Sequence, residues 1–237
     1  KISQKELIGT LNTVIFCPED LQLIKGTPSG RRRFLDMEIS QTSATYYHQL
    51  MQYNRLLQQR NAILKEYRGK QNIPLEEWDL QLADMASFIV KKRLESLKKI
   101  NLLIDLMNRK LTGGLENLTI GYEQPYMDNG SLEYTKEGFY ERIKAALPQD
   151  RHRLSTSVGP HRDDLRFFSD AMDLKKFGSQ GQQRTAVLSL KLSELEFIKS
   201  EVGEYPVLLL DDVLSELDES RRANLLQFIH KRIQTFI

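Results

Sequence analysis

The sequence feature that most constrains the fold is a short apolar run that ends in two adjacent carboxylates. It reads Val207-Leu208-Leu209-Leu210-Asp211-Asp212 and follows Tyr205-Pro206. An apolar run of this length after a proline predicts a buried strand. Strands buried on both faces are typical of parallel sheets, whose carboxyl edges bind phosphate groups in α/β proteins. The run therefore predicts an α/β fold with Asp211 and Asp212 at the functional edge of its sheet.

A second motif precedes this strand by about twenty residues and reads Phe177-Gly178-Ser179-Gln180-Gly181-Gln182-Gln183-Arg184-Thr185. It predicts a loop that opens a helix over residues 182–200, whose first N–H groups are free to face an anion. Taken alone, Ser179 is explained as a helix cap and the paired aspartates as an acidic turn. In this order, with Ser215-Glu216-Leu217-Asp218 following, the motifs indicate the second half of an ABC-type nucleotide site.

The two carboxylates suggest different roles at such a site. Asp211 ends the strand, where it can hold Mg²⁺ directly or through water. Asp212 is the next residue and is expected to point to the opposite face, where it can orient or deprotonate the attacking water. The phosphate-cradling pattern Gly-x-x-x-x-Gly-Lys-Ser/Thr does not occur in the chain. We therefore expect this chain to be part of a longer ATPase and not to hydrolyse ATP by itself.

A long helical region lies between the first strand, predicted at residues 14–17, and the motifs above. Its first heptad seam comprises Tyr46, Leu50, Tyr53, Leu57, Leu64 and Tyr67, with Arg60 in the remaining slot. A second seam runs from Leu75 to Leu111. Two seams around a turn after Gly69 predict an antiparallel helical hairpin of about 40 residues an arm, roughly 60 Å long. An ordinary bundle core would give the same stripes.

These patterns predict an α/β, ABC-ATPase-like head, incomplete in this chain, with an inserted antiparallel helical arm. The predicted division is head at 1–28, arm at 29–111 and the remainder of the head at 112–237. Further elements are predicted by alternation, periodicity and turn residues. They are strands at 118–122, 155–159 and 165–168, a returning strand at 172–177, a turn at 128–130, and helices at 136–146 and 219–231.

Charge is unevenly distributed along the chain, although its net charge is only +2. Residues 29–111 hold 15 Lys/Arg and 9 Asp/Glu, which hints at a polyanionic partner. A solvated, charge-rich helical surface is the alternative reading. The single cysteine, Cys17, excludes an intrachain disulfide and fits a reducing compartment. No apolar run is long enough to span a bilayer, and no membrane partner is expected.

The order of these motifs resembles the RecF family of bacterial recombination-repair proteins, which are ABC-type ATPases related to the SMC proteins. Further similar segments are Phe16–Leu21, Ser29–Asp36, Gln52–Arg55, Gln59–Asn61 and Val158–Leu165. The resemblance implies that Ser179, Gln180, Gly181, Gln182 and Gln183 form the signature motif, which acts on the nucleotide of a second subunit. It implies that Asp211 and Asp212 are the Walker B pair and that Ser215 and Asp218 belong to the D-loop.

The resemblance also implies the cofactors and partners of the complete protein. These are ATP and Mg²⁺, an ATP-dependent homodimer, DNA at gaps and single-strand/double-strand junctions, and the RecO and RecR proteins in recombinase loading. Such a protein is cytoplasmic and associated with the nucleoid. The candidate DNA contacts are Arg31, Arg32, Arg33, Lys91, Lys92 and Arg93. His161, Arg162 and Asp163 form a family-like segment with catalytic, folding or dimerisation roles left open.

The chain departs from the family pattern in ways that affect its activity. The Walker A segment would lie before Lys1, and the switch segment after Ile237. Pro18 or Glu19 stands where other ABC ATPases have the Q-loop glutamine, and Asp212 replaces their catalytic glutamate, which favours slow turnover. The alternatives are an SMC-like chromosome-structure ATPase, which needs much longer arms, a transporter ATPase, or a non-enzymatic helical-hairpin module that binds DNA or protein.

Overall fold

The fold is given by a computed structural model, which describes residues 9–70, 73–126, 134–230 and 232–237. The strands are β1 (Thr13–Phe16), β2 (Leu118–Glu123), β3 (Asp164–Ser169), β4 (Met172–Asp173), β5 (Val207–Leu210) and β6 (Thr235–Phe236). The helices are α1 (Gln22–Lys25), α2 (Pro28–Thr42), α3 (Ala44–Glu66), α4 (Glu76–Thr112), α5 (Lys136–Ala145), α6 (Leu147–Arg153), α7 (Leu174–Phe177), α8 (Gln180–Val202), α9 (Val213–Glu216) and α10 (Glu219–Ile229). Within these described ranges, no helix is long and apolar enough to cross a membrane.

Most of the predicted elements are confirmed, and two of the predicted strands differ. The segment 155–159 is irregular rather than a strand, because side chains instead of a neighbouring strand satisfy its backbone. The returning strand shortens to β4, since Asp173 caps α7 by accepting the N–H groups of Lys175 and Lys176. The turn predicted at 128–130 and the end of the last predicted helix, at Lys231, lie outside the described residues.

The first arm of the predicted hairpin is interrupted. Ser43 adopts an extended backbone (φ −146°, ψ 98°), so α2 ends before it and α3 begins after it. Helix α3 has 23 residues, whereas α4 has 37. At 1.5 Å a residue, α4 is about 55 Å long and α3 only about 35 Å. The two helices are therefore unequal in length.

The chain divides into two compact units whose bounds differ from the predicted division. The first comprises Lys1–Ala44, Glu95–Tyr122 and Leu165–Ile237, and the second comprises Thr45–Leu94 and Glu123–Asp164. The predicted arm is shared between them, because α4 passes from one unit into the other and because the residues after β2 join the second unit. The sequence of the second unit holds 14 Lys/Arg and 13 Asp/Glu. The positive charge counted over 29–111 thus does not belong to one compact body.

In the first unit, a parallel sheet has the strand order β1-β5-β6. β1 and β5 lie in register, with Thr13 opposite Val207 and Phe16 opposite Leu210. Because the two strands end level, the residues that follow them start from the same edge of the sheet. A second sheet has the order β2-β3-β4, in which β3 and β4 are antiparallel.

Helix α8 is the central helix of the first unit. It packs against α2 and β1, and every side chain from Thr185 to Leu195 is buried. It ends at Gly203, whose left-handed backbone (φ 96°) is the conformation that glycine adopts without strain. A helix buried on all sides must accommodate its polar side chains in the interior. The polar partners of those side chains therefore fix the position of α8 in the first unit.

In the second unit, residues of both predicted seams are buried. Tyr46, Tyr53 and Leu64 of the first seam are buried, as are Leu82 and Ile89 of the second. The buried positions of α3 and of the first half of α4 therefore follow the heptad pattern seen in the sequence.

Arg60, which occupies an apolar slot of the first seam, is fully buried. Its guanidinium donates to Asp79 Oδ1 and to Asp150 Oδ2, each at 2.6 Å, and to Thr156 Oγ1 at 2.9 Å. Burial raises the pKa of Asp79, and the charge of Arg60 opposes that rise. The cation thus joins α3, α4, the middle of α6 and the irregular segment that follows α6.

We predict that Arg60→Met lowers the free energy of unfolding by about 3–5 kcal/mol, because two carboxylates stay buried without their cation. The matched control is Arg55→Met, which removes the same charge from an exposed position of α3. It should change stability by no more than about 0.5 kcal/mol. Urea denaturation followed by circular dichroism measures both variants, and equal losses would contradict the structural role of Arg60.

Candidate functional site

The carboxyl edge of the β1–β5 pair presents the two predicted carboxylates. β5 ends at Leu210, and Asp211 and Asp212 are both exposed. The backbone N–H of Asp211 donates to the Phe16 carbonyl at 2.9 Å, which fixes Asp211 beside the end of β1. Exposed carboxylates at such an edge supply the oxygen ligands that Mg²⁺ prefers and leave room for water and phosphate oxygens. The chemistry of these two carboxylates suits a magnesium ion, although no group of three or more acidic, His or Cys side chains comes together among the described residues.

Asp212 does not continue the strand, which corrects the basis for its predicted orientation. Its backbone is left-handed (φ 51°, ψ 13°) and it precedes the short helix α9. The Ser215 hydroxyl lies 2.7 Å from the Asp212 carbonyl oxygen and 2.9 Å from its Oδ1. The left-handed turn and Ser215, rather than strand alternation, therefore orient Asp212. Non-glycine residues in this region of backbone space are uncommon and cluster at functional sites.

The Gly-Ser-Gln-Gly segment forms the start of α8, as predicted. Ser179 Oγ accepts the Gln182 N–H at 3.2 Å, and Gln182 Oε1 accepts the Ser179 N–H at 3.0 Å. This reciprocal capping box gives the helix a defined first turn. Ser179, Gln180 and Gly181 are exposed, so the positive end of the helix dipole faces outward and favours an anion.

Two side chains anchor this first turn from within the first unit. Gln182 Nε2 donates to Glu116 Oε1 at 3.1 Å, and Glu116 Oε2 accepts from the Ser169 hydroxyl at 2.9 Å. Gln183 is buried, and its Nε2 donates to the Leu174 carbonyl at 2.7 Å. Gln183 thus supports the turn rather than facing a ligand. The sequence gives no sign of the role of Glu116, which lies 66 residues from its partner.

Asp218 of the D-loop is connected to the same turn through Arg221. Asp218 caps α10 by accepting the Arg221 N–H at 2.9 Å. The Arg221 guanidinium donates to Thr185 Oγ1 from Nε at 3.0 Å and from Nη2 at 2.7 Å, and its Nη1 pairs with Asp218. Nη2 also lies 3.4 Å from the Gly181 carbonyl. Sequence reasoning missed Arg221, because an arginine in the first turn of a charged helix looks like an ordinary surface residue.

A buried cluster of charges anchors the middle of α8. Lys191 Nζ lies 2.9 Å from Glu194 Oε2 and 3.6 Å from Asp20 Oδ1. Burial raises the pKa of Glu38 to about 7 and also raises the pKa of Glu194, and the charge of Lys191 offsets only part of each rise. Asp20 Oδ2 accepts the Cys17 N–H at 2.9 Å. The cluster thus connects α8 to the turn that follows β1.

Two of the six candidate DNA contacts are buried. Arg31 is 4% exposed and its Nη1 donates to the Gly26 carbonyl at 2.9 Å. Arg93 is 2% exposed, donates to the Pro160 carbonyl at 2.7 Å and pairs with Asp163 at 3.4 Å. Both arginines are bound to groups of the chain itself and stabilise the fold. The prediction that they contact DNA at the surface is therefore corrected. Arg33 and Lys91 are exposed, and Arg32 and Lys92 are half-buried.

His161 and Arg162 hold the irregular segment of the second unit. His161 Nε2 lies 3.0 Å from the Thr156 carbonyl, which can only accept, so Nε2 carries the proton. Tyr53 OH lies 2.6 Å from His161 Nδ1, and in the neutral imidazole it is the donor to that nitrogen. Arg162 donates to the same carbonyl from Nε at 3.0 Å and Nη2 at 2.7 Å. These contacts, with the Asp163–Arg93 pair, give the predicted segment structural partners.

The fold and the site together define a class of protein. Paired carboxylates follow a strand of a parallel sheet, a glycine-containing turn opens the central helix, and a D-loop-like turn follows the carboxylates. These are the parts of an ABC-ATPase-like head, and α3 and α4 form its inserted helical arm.

Comparisons with known proteins identify the family. No protein-family model matches the chain. The DNA replication and repair protein RecF of Alkaliphilus oremlandii is 49% identical over 238 residues, which cover 100% of this chain and 65% of that protein. RecF of Halothermothrix orenii is 48% identical over 98% of this chain and 64% of its own length. The solved structure of the recombination mediator protein RecF-ATPrS in the RecFOR pathway superimposes with a TM-score of 0.91 at 39% identity, covering 100% of this chain and 64% of that one.

The chain belongs to the RecF family, as its motifs predicted. It spans somewhat less than two thirds of the length of the curated relatives that it matches, 65% and 64% for the two named above.

Proposed function

We propose that the chain contributes part of the ATP-binding, dimerising head and the helical arm of a RecF-type protein of DNA replication, repair and recombination. Its relatives are named DNA replication and repair proteins, and the similar solved structures are of RecF with ATP and with ATPrS. The observation that carries the proposal is the presence, in one compact unit, of exposed carboxylates at a parallel sheet edge and an exposed, capped helix N-terminus. Phosphoryl-transfer sites use both features.

The site residues have separate roles in this proposal. Asp211 would hold Mg²⁺ directly or through water, and Asp212 would orient the attacking water and accept its proton. When bound, Mg²⁺ offsets the negative charge of the phosphates of ATP. The exposed start of α8, Ser179–Gly181, would face the γ-phosphate held by a second copy of the full-length protein. The D-loop residues Ser215 and Asp218 would lie at the same contact. Slow hydrolysis is expected, because an aspartate reaches less far than the glutamate of ABC transporters.

We predict that the two carboxylates can be separated in a full-length RecF protein carrying this segment. Asp212→Asn should keep ATP binding but slow hydrolysis by about 10²–10⁴-fold, because an amide cannot accept the proton. The ATP-bound dimer should then be long-lived. Asp211→Asn should weaken Mg-ATP binding itself, because the metal loses a charged ligand. Equilibrium ATP binding and single-turnover hydrolysis distinguish the variants, and an equal loss of binding in both would contradict this division.

We further propose that the polyanionic partner is DNA at gaps and single-strand/double-strand junctions, and that RecO and RecR cooperate in recombinase loading at the nucleoid, in the cytoplasm. The RecFOR pathway named for the similar structures supports these partners. Charge alone is weak support, since the second unit is nearly balanced. The DNA proposal instead rests on Lys91 and Lys92, adjacent on α4, and on Arg32 and Arg33 of α2, none of which is buried.

We predict that Lys91→Gln with Lys92→Gln flattens the dependence of log affinity on log salt as well as weakening DNA binding. Each lost phosphate contact should reduce the slope by about 0.9 on duplex DNA. The matched control is Lys98→Gln with Lys99→Gln, an adjacent exposed pair further along α4 in which Lys99 pairs with Glu201. Salt titrations of full-length protein measure both. An unchanged slope in the first variant would contradict the proposed phosphate contacts and would mean that Lys91 and Lys92 belong to an ordinary solvated helix surface.

A further inference from the structure

We propose that Arg221 is a positioning residue, which joins the D-loop to the signature turn of the same subunit so that both meet the nucleotide of a second copy as one surface. The inference rests on the proposed function in trans and adds the residue that makes the surface rigid. None of the sequence motifs includes Arg221, and its side chain is only partly exposed (29%).

The contacts of Thr185 show how this link is built. Arg221 directs two N–H groups at Thr185 Oγ1, at 3.0 Å from Nε and 2.7 Å from Nη2. A hydroxyl has two acceptor positions and one proton. With both acceptor positions occupied, the proton is directed to the Gly181 carbonyl, 3.0 Å away. Arg221 therefore fixes the direction of a hydrogen bond that ends on the backbone of the signature turn.

The other end of Arg221 is attached to the D-loop. Its Nη1 pairs with Asp218, and its backbone N–H donates to Asp218 Oδ1 at 2.9 Å. The planar guanidinium presents its N–H groups in a rigid fork. Because it contacts both Asp218 and Thr185, it fixes the distance and the angle between the D-loop and α8. A lysine, with a single flexible ammonium group, cannot reproduce this geometry.

Gly181 indicates that the joined surface is approached from outside the subunit. A Cβ at Gly181 would meet only Arg221 Nη2 at 3.8 Å and Ser179 Oγ at 3.9 Å, which are ordinary contacts. Its backbone is not left-handed, so neither packing nor strain among the described residues requires glycine there. A glycine at this exposed helix start leaves the backbone open to close approach by a ligand.

The test is a double-mutant cycle in a full-length RecF protein carrying this segment. Arg221→Ala, Thr185→Val and the double variant are compared for ATP-driven dimerisation by light scattering, ATP affinity of the subunit and thermal unfolding. Each single variant should weaken dimerisation by about tenfold, the effect of losing a charge-assisted hydrogen bond. The double variant should be no weaker than either single one, because both remove the same link. Subunit ATP affinity should stay unchanged.

Two controls separate this inference from the proposed function. Arg222→Ala removes the same charge from the adjacent position, where the side chain donates to the Leu217 carbonyl at 3.2 Å instead of to Thr185, and should dimerise normally. Ser179→Arg should abolish dimerisation by blocking the surface itself. If Ser179→Arg dimerises, the function in trans and this inference both fail. If Ser179→Arg is blocked but Thr185→Val dimerises normally, or if the two losses add, only the positioning role of Arg221 is overturned. Thr185→Val keeps the test decisive if Arg221→Ala does not fold.

Discussion

The structure of the head depends on the parallel pairing of β1 with β5, two strands that lie about 190 residues apart in the chain. Parallel strands need a crossover connection, and here the crossover contains the arm and the whole second unit. The register of this pair sets the site, because Phe16 opposite Leu210 makes both strands end at one edge. A slip of one residue would exchange the buried Leu208 for the less buried Leu209 and displace the carboxylates.

Buried charges determine how the helices sit on this frame. Lys191 connects the middle of α8 to Asp20, in the turn that follows β1. Glu116 and Arg221 hold the exposed first turn of α8, through Gln182 and Thr185 respectively. In the second unit, Arg60 has the same function among α3, α4 and α6. Burying an ion pair adds little stability compared with apolar packing, but a misplaced partner is heavily penalised. Such pairs therefore favour one arrangement of the helices over its neighbours.

The elements that are predictable from the sequence are those specified by local periodicity. The apolar run of β5, the cap of α8 and the heptad seams are each visible in a short stretch of sequence. The placement of Asp211 follows from the apolar run of β5, which it directly follows. Interactions between distant residues carried no such signal. Arg60 was visible as a charged residue in an apolar seam, but its partners Asp79 and Asp150 were not. Arg31 and Arg93 could not be told from exposed arginines, because burial is decided by acceptors elsewhere in the chain.

The most direct test of the central claim, that the signature turn of one copy completes the site of another, is a complementation experiment. Ser179→Arg subunits and Asp212→Asn subunits of a full-length RecF protein are assayed for ATP hydrolysis separately and mixed. Each alone should be inactive, whereas a mixed dimer contains one site with an intact Asp212 from one copy and an intact Ser179 from the other. The account predicts that hydrolysis returns on mixing. A mixture that forms mixed dimers, which carry the blocking arginine at only one of their two contacts, yet stays as inactive as its components would contradict it, because every subunit would then need its own signature turn.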